Sequence, residues 1–314
     1  MYSCCTCFIL LEQATLNVGD DSVPQKIVNI AEALDNLELI LGKDWLEENL
    51  KVIKDGQFGQ GGFGRSIDFS ALGIAYIAEL WYKGRDEAIS IEIAGGGLPG
   101  RYALTAAAIA SELEVVKDCV GWQAKLSELK DAQCSLKTVH ELGIAAGYAQ
   151  AGQVVDFTRP LVRDWLPPCA AGLFMSHGQD KFTMVVCVEI KTLAKGEPGN
   201  VAARLHSALE QLLNAQGLAK SGGDVIQCQP TVYIYVGDII GETEALLQYW
   251  SNHPDIKQLA RDTAATVLVY TTGTILTKYE LAYVRRGSLV AYNQALQDKG
   301  IYIPDEIMTP CQKR

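Results

Sequence analysis

Long apolar runs, an excess of basic residues and a paired set of cysteines are all missing from this 314-residue chain. No apolar stretch approaches the ~18 residues of a membrane span. The N-terminal CFILL is too short, and lacks the basic flank, for a signal peptide. The expectation is a cytoplasmic protein with no membrane partner. Lys and Arg number 27 against 37 Asp and Glu, for a net charge of -10. Any contact with a polyanion must therefore be local and salt-sensitive, since no broad basic face exists at the level of totals. The nine cysteines are an odd number, scattered singly apart from Cys4, Cys5 and Cys7. That usage fits reduced thiols better than a disulfide framework, and the Cys-Cys-x-Cys cluster has no fourth ligand nearby to complete a zinc site.

What is present divides unevenly. Residues 1–135 carry 20 acids and 11 bases, whereas 136–314 carry 17 acids, 16 bases and all four histidines. In the first part, Ile27, Ile30, Ala31, Leu34, Leu37, Ile40, Leu41, Trp45, Leu46 and Leu50 follow helical spacing, with a break at Gly42. DGQFGQGGFGRS at 55–66 reads as a loop, and further helices are expected over 67–83, 100–116 and 119–131. The expectation is a mainly helical, acidic N-terminal domain (1–135), a surface for a protein partner, followed by an α/β domain (136–314).

In that second domain, Thr138-Val-His-Glu141 has the form of a capping box opening a helix that Gly152 ends. Strands are expected at 153–157, 170–175, 182–190, 231–236 and 264–270, and helices at 200–216 and 242–250. The third strand, within FTMVVCVEIKTLAKG, finishes on Glu189, Ile190 and Lys191. A strand has a period of two, so Glu189 and Lys191 share a face. Two readings stay open: an ion pair at the solvent end of a core strand, or a carboxylate that holds Mg²⁺ beside a lysine that holds water or phosphate.

The order helix, three strands, helix, strand, with E-x-K closing the third strand, resembles the PD-(D/E)xK nuclease superfamily, the restriction-endonuclease-like fold. HELGIAAGYAQAGQVVDF (140–157), VVCVEIKTL and ARLHSALEQLL (203–213) carry the resemblance, which spans about 136–270. It implies Mg²⁺- or Mn²⁺-dependent hydrolysis of phosphodiester bonds in DNA or RNA. Glu189 would be a metal ligand, Lys191 would stabilise charge, Glu141 would reach the metal, and Gln211 would orient a phosphate. Glu141 also fits a plain capping role, and Gln211 a place on the polar face of its helix.

The signature's first acid, due at the start of the second strand, is absent. Asp180 belongs to the SHGQDK turn, roughly 30 Å along the strand from Glu189. A hairpin pivoting near Gln179 sets a residue close to Cys169 opposite Glu189, and a thiol is no ligand for a hard cation. Asp164, five residues earlier, is a candidate metal ligand only if Pro167 and Pro168 redirect the chain. That gap leaves a second reading, a catalytically degenerate nuclease scaffold serving as an interaction or structural protein. His140, His177 and His206 read as surface or satisfied residues. A third reading starts from ISIEIAGGGLPG, which reads as a short strand followed by a GxGxxG (Gly95, Gly97, Gly100) and an alanine-rich helix, with Asp118 placed as a ribose-binding acid. Pro99 sits inside that loop, and a dinucleotide-binding unit also needs further strand and helix alternation, which the first half does not supply.

Overall fold

The protein is described by a computed structural model over residues 5–9, 30–59, 73–94, 99–150, 154–157, 171–176, 183–192, 227–238, 243–276 and 281–294. It is a mixed α/β structure built on a seven-stranded sheet. The helices are α1 (Ile30–Leu41), α2 (Lys43–Gly59), α3 (Tyr76–Ile93), α4 (Arg101–Val116), α5 (Trp122–Lys130), α6 (Ser135–Gln150), α7 (Thr243–Ser251) and α8 (Pro254–Thr263). The strands are β1 (Cys5–Ile9), β2 (Val154–Asp156), β3 (Ala171–Ser176), β4 (Thr183–Thr192), β5 (Gln227–Asp238), β6 (Thr266–Leu276) and β7 (Leu281–Ala291). Their order across the sheet is β1-β7-β6-β5-β4-β3-β2.

Pairing direction changes across that order. β2, β3 and β4 form an antiparallel meander, β4, β5 and β6 run parallel, and β7 and β1 return to antiparallel. TVYIYV in β5 and TVLVY in β6 are almost wholly β-branched or aromatic. Such runs suit parallel strands covered on both faces, and both faces here are covered. Val232, Ile234, Val267 and Val269 pack against Leu247 of α7 and Ile256 and Leu259 of α8. Tyr233, Tyr235, Leu268 and Tyr270 face the other way and join one continuous apolar core with α1, α3, α4 and α6.

Within the helical layer α4 is buried almost all round, which RYALTAAAIASELEVV permits because its alanines let neighbouring helices approach closely. The sheet holds a charged pair against this layer. Arg285 of β7 and Glu112 of α4, only 5 % and 4 % exposed, meet at 2.8 Å between Nη2 and Oε1. Gly143 of α6 leaves the room: a Cβ there would overlap Arg285 Nη2 and stand 2.7 Å from Glu112 Oε2. Gly143→Ala is therefore expected to lower stability by about 2–4 kcal/mol, measured by denaturant unfolding, because the buried pair must separate or shift. A loss under 0.5 kcal/mol would mean that the pair relaxes freely.

Several expectations are corrected. α6 starts at Ser135, and Thr138 lies inside it with Oγ1 bonded back to the Cys134 carbonyl at 3.1 Å, so Thr138 and Glu141 form no capping box. The turn ahead of α6 is held by Asp131 Oδ1, which accepts from the amides of Gln133 and Cys134. Residues 55–59, expected as the start of a loop, belong to α2, which continues to Gly59. ISIEI closes α3 as helix, so no strand precedes Gly95, Gly97 and Gly100. Gly100 instead caps α4, and the Glu87 carboxylate fills that helix N-terminus by accepting from Ala103 N at 2.8 Å. A carboxylate seated there opposes a dinucleotide phosphate, and the dinucleotide reading ends with it. Three elements went unexpected: β1, α8 and β7. The helix expected at 200–216 lies outside the described residues.

Candidate functional site

Glu189 and Lys191 fall in the last four residues of β4. The ladder pairs Glu189 with Val232 and Lys191 with Ile234 of β5. Paired residues share a face, so positions 189 and 191 belong to the face that α7 and α8 cover farther along the sheet. The intervening Ile190 pairs with Tyr233, on the face of α6.

Glu141 is placed differently. It sits on α6, over the opposite face, with its side chain fully buried. Lys125 of α5 donates to Oε2 at 2.8 Å and also reaches Glu128 at 2.6 Å. Lys137 Nζ stands 3.0 Å from Oε1 as an ion pair rather than an aligned hydrogen bond. Two lysines thus balance this carboxylate where burial alone would be costly. The structure does not bring Glu141 together with positions 189 and 191, and its observed work is to join α5 to α6.

The ladder between β3 and β4 pairs Ala171 with Val188 and Ser176 with Thr183. Cys169, Asp164, Asp180, Gln211, His177 and His206 lie outside the described residues. Among the described residues no group of three His, Cys, Asp or Glu side chains is arranged to hold a metal ion.

A different polar centre lies between α6 and the sheet. His140, expected at the surface or satisfied, is buried with its ring centroid 3.8 Å from that of Tyr235 and 5.9 Å from that of Tyr270. Among the described residues its Nε2 and the Tyr270 hydroxyl have no hydrogen-bond partner. Burial, aided by the nearby Arg285 charge, pushes the imidazole pKa down to about 3. Burial also raises the phenols of Tyr148, Tyr233 and Tyr270. Tyr148 and Tyr233 share a hydrogen bond of 2.7 Å. All these groups are neutral at pH 7, and together they form a polar seam that fixes how α6 lies on the sheet. Histidine at the third position past the polar Ser135-Leu-Lys turn gave no sequence signal of this burial.

Comparison with protein-family models, curated proteins and solved structures finds no match to this chain. Among the described residues no helix is long and apolar enough to cross a membrane.

Proposed function

We propose that the protein is a metal-dependent nuclease of the restriction-endonuclease-like kind, acting on phosphodiester bonds through the face of β4 that carries Glu189 and Lys191. One observation carries this reading. A helix, α6, leads into a three-stranded antiparallel meander whose third strand ends in E-x-K and pairs in parallel with the next strand. A resident Mg²⁺ or Mn²⁺ would neutralise phosphate charge and make a bound water more acidic. Glu189 supplies a hard oxygen donor suited to such an ion, and Lys191, two residues on, supplies a fixed positive charge for a phosphate oxygen or the attacking water. In the reaction a water oxygen bonds to phosphorus and releases a proton to solvent, the opposite P–O ester bond breaks, and the departing oxygen takes a proton from solvent. Nucleic acid would be held locally, given the net charge of -10.

The engagement of Glu141 by Lys125 and Lys137 favours a second reading, the same scaffold without catalysis, used for interaction. The two separate in a cleavage assay on end-labelled single- and double-stranded DNA and RNA with Mg²⁺, Mn²⁺ or EDTA. The nuclease reading expects product in the metal lanes and none with EDTA. Intact substrates in every lane, from folded protein, favour the scaffold.

A further inference from the structure

The corner between α7 and α8 brings three rings together. Trp250 packs on the core beneath the two helices and stacks on His253, with centroids 5.5 Å apart and planes 28° from parallel. Tyr249 stands nearly upright to both, at 81° to Trp250 and 71° to His253, and is 62 % exposed. Beside it opens a groove of about 540 Å³, lined by Ala245, Gln248, Tyr249, Asn252, His253 and Pro254. That volume is in the range of small-molecule sites. None of the lining residues is an acid, a lysine or an arginine, so the groove suits a flat, neutral group.

Its polar atoms divide into engaged and unengaged. The Asn252 amide is engaged locally, with Nδ2 donating to the Gln248 carbonyl and Oδ1 accepting from Lys257, both at 2.8 Å. His253 Nδ1 accepts from the Asp255 amide at 3.3 Å, so the N–H this ring offers a ligand is at Nε2. Neither that Nε2 nor the Gln248 side-chain amide has a hydrogen-bond partner among the described residues. At the rim, Lys257 beside Asn252 is balanced by Asp255, whose Oδ2 is 3.9 Å from His253 Nδ1. An exposed ring face flanked by an N–H donor and an amide matches a nucleobase, whose face stacks and whose edge carries acceptors and donors.

We infer that this groove takes an unpaired nucleobase, with Tyr249 as the stacking platform and His253 Nε2 and the Gln248 amide meeting its edge. The identity of the ligand rests on the nuclease reading, to which the groove adds a substrate class. A base must leave its own stack to lie on Tyr249, so single strands are preferred to duplexes. The groove lies on the side of the sheet to which positions 189 and 191 belong, because α7 and α8 cover that face. One strand laid across this side can meet both.

The test is fluorescence anisotropy of labelled single strands, duplexes and an abasic single strand, with Ca²⁺ in place of Mg²⁺ and with Mg²⁺-dependent cleavage measured in parallel. The parent is expected to bind single strands more tightly than duplexes. Tyr249→Ala should weaken single-strand binding by about 10-fold, and Tyr249→Phe, which keeps the ring, should bind like the parent. The abasic strand should bind the parent and Tyr249→Ala alike, and circular dichroism checks that each variant is folded. Parent-like single-strand binding by folded Tyr249→Ala, or an equal loss on the abasic strand, overturns the groove as a base site, and persisting metal-dependent cleavage then leaves the nuclease reading standing. A folded parent that neither binds nor cleaves any of these strands overturns both.

Discussion

Glu112→Ala is expected to destabilise the protein by about 3–5 kcal/mol, since it removes the carboxylate paired with a guanidinium buried in the core. Arg285 sits in the middle of β7 and is 5 % exposed, and Glu112 Oε1 is 2.8 Å from its Nη2. Dispersal of that charge by solvent would require α4 and α6 to lift from the sheet. A paired change tests the cause. Glu112→Leu with Arg285→Met removes both charges and should be less destabilising than Glu112→Ala alone, because keeping a buried charge after its carboxylate is removed costs more than losing the attraction. A single-variant loss below about 1 kcal/mol in urea unfolding would show that the pair is solvated and holds nothing in place.

The second large effect is a dependence on pH. His140 titrates near 6.5 when unfolded and at about 3 in the native protein. Between those values the unfolded chain binds the proton and the native protein does not. The contribution of neutral His140 is thus fully present above pH 6.5 and is lost as pH falls towards 3. From pH 7 to pH 4 the loss comes to about 3 kcal/mol. His140→Phe keeps a ring against Tyr235 and has no proton to gain, and the Nε2 it removes has no hydrogen-bond partner among the described residues. Stability measured at pH 7 and pH 4 should therefore fall less in His140→Phe than in the parent, by about that amount. Equal falls in the two proteins would mean that His140 is solvated.

How far the sequence foretold this structure depends on where charge sits. β5 and β6 were legible because TVYIYV and TVLVY are continuous β-formers. The break at Gly42 was legible too, and its φ of 86° is one that glycine adopts without strain. β7 was not, because Arg285 and Arg286 interrupt LAYVRRGSLVA and read as a polar connection. A buried partner on α4, 173 residues away, meets Arg285 in the core. α8 carried a readable start, Pro254 after His253, and its buried Ile256, Leu259, Ala260 and Thr263 follow helical spacing. ISIEI misled by alternating like a strand. In α3 its Ile89 and Ile93 are exposed one turn apart.

The site was legible in part. E-x-K stood out because two opposite charges end an apolar strand. The setting of Glu141 was not legible. Its lysines come from α5 and from one turn back in α6, and a local pattern cannot show which of two faces a helix covers.

The most direct measurement is the ratio of metal-dependent cleavage rates for the parent and Lys191→Ala on the substrate the parent cuts best. The account predicts a folded variant slower by about 100-fold or more, because a charge positioned for the transition state is lost. Parent-like cleavage by Lys191→Ala would contradict it.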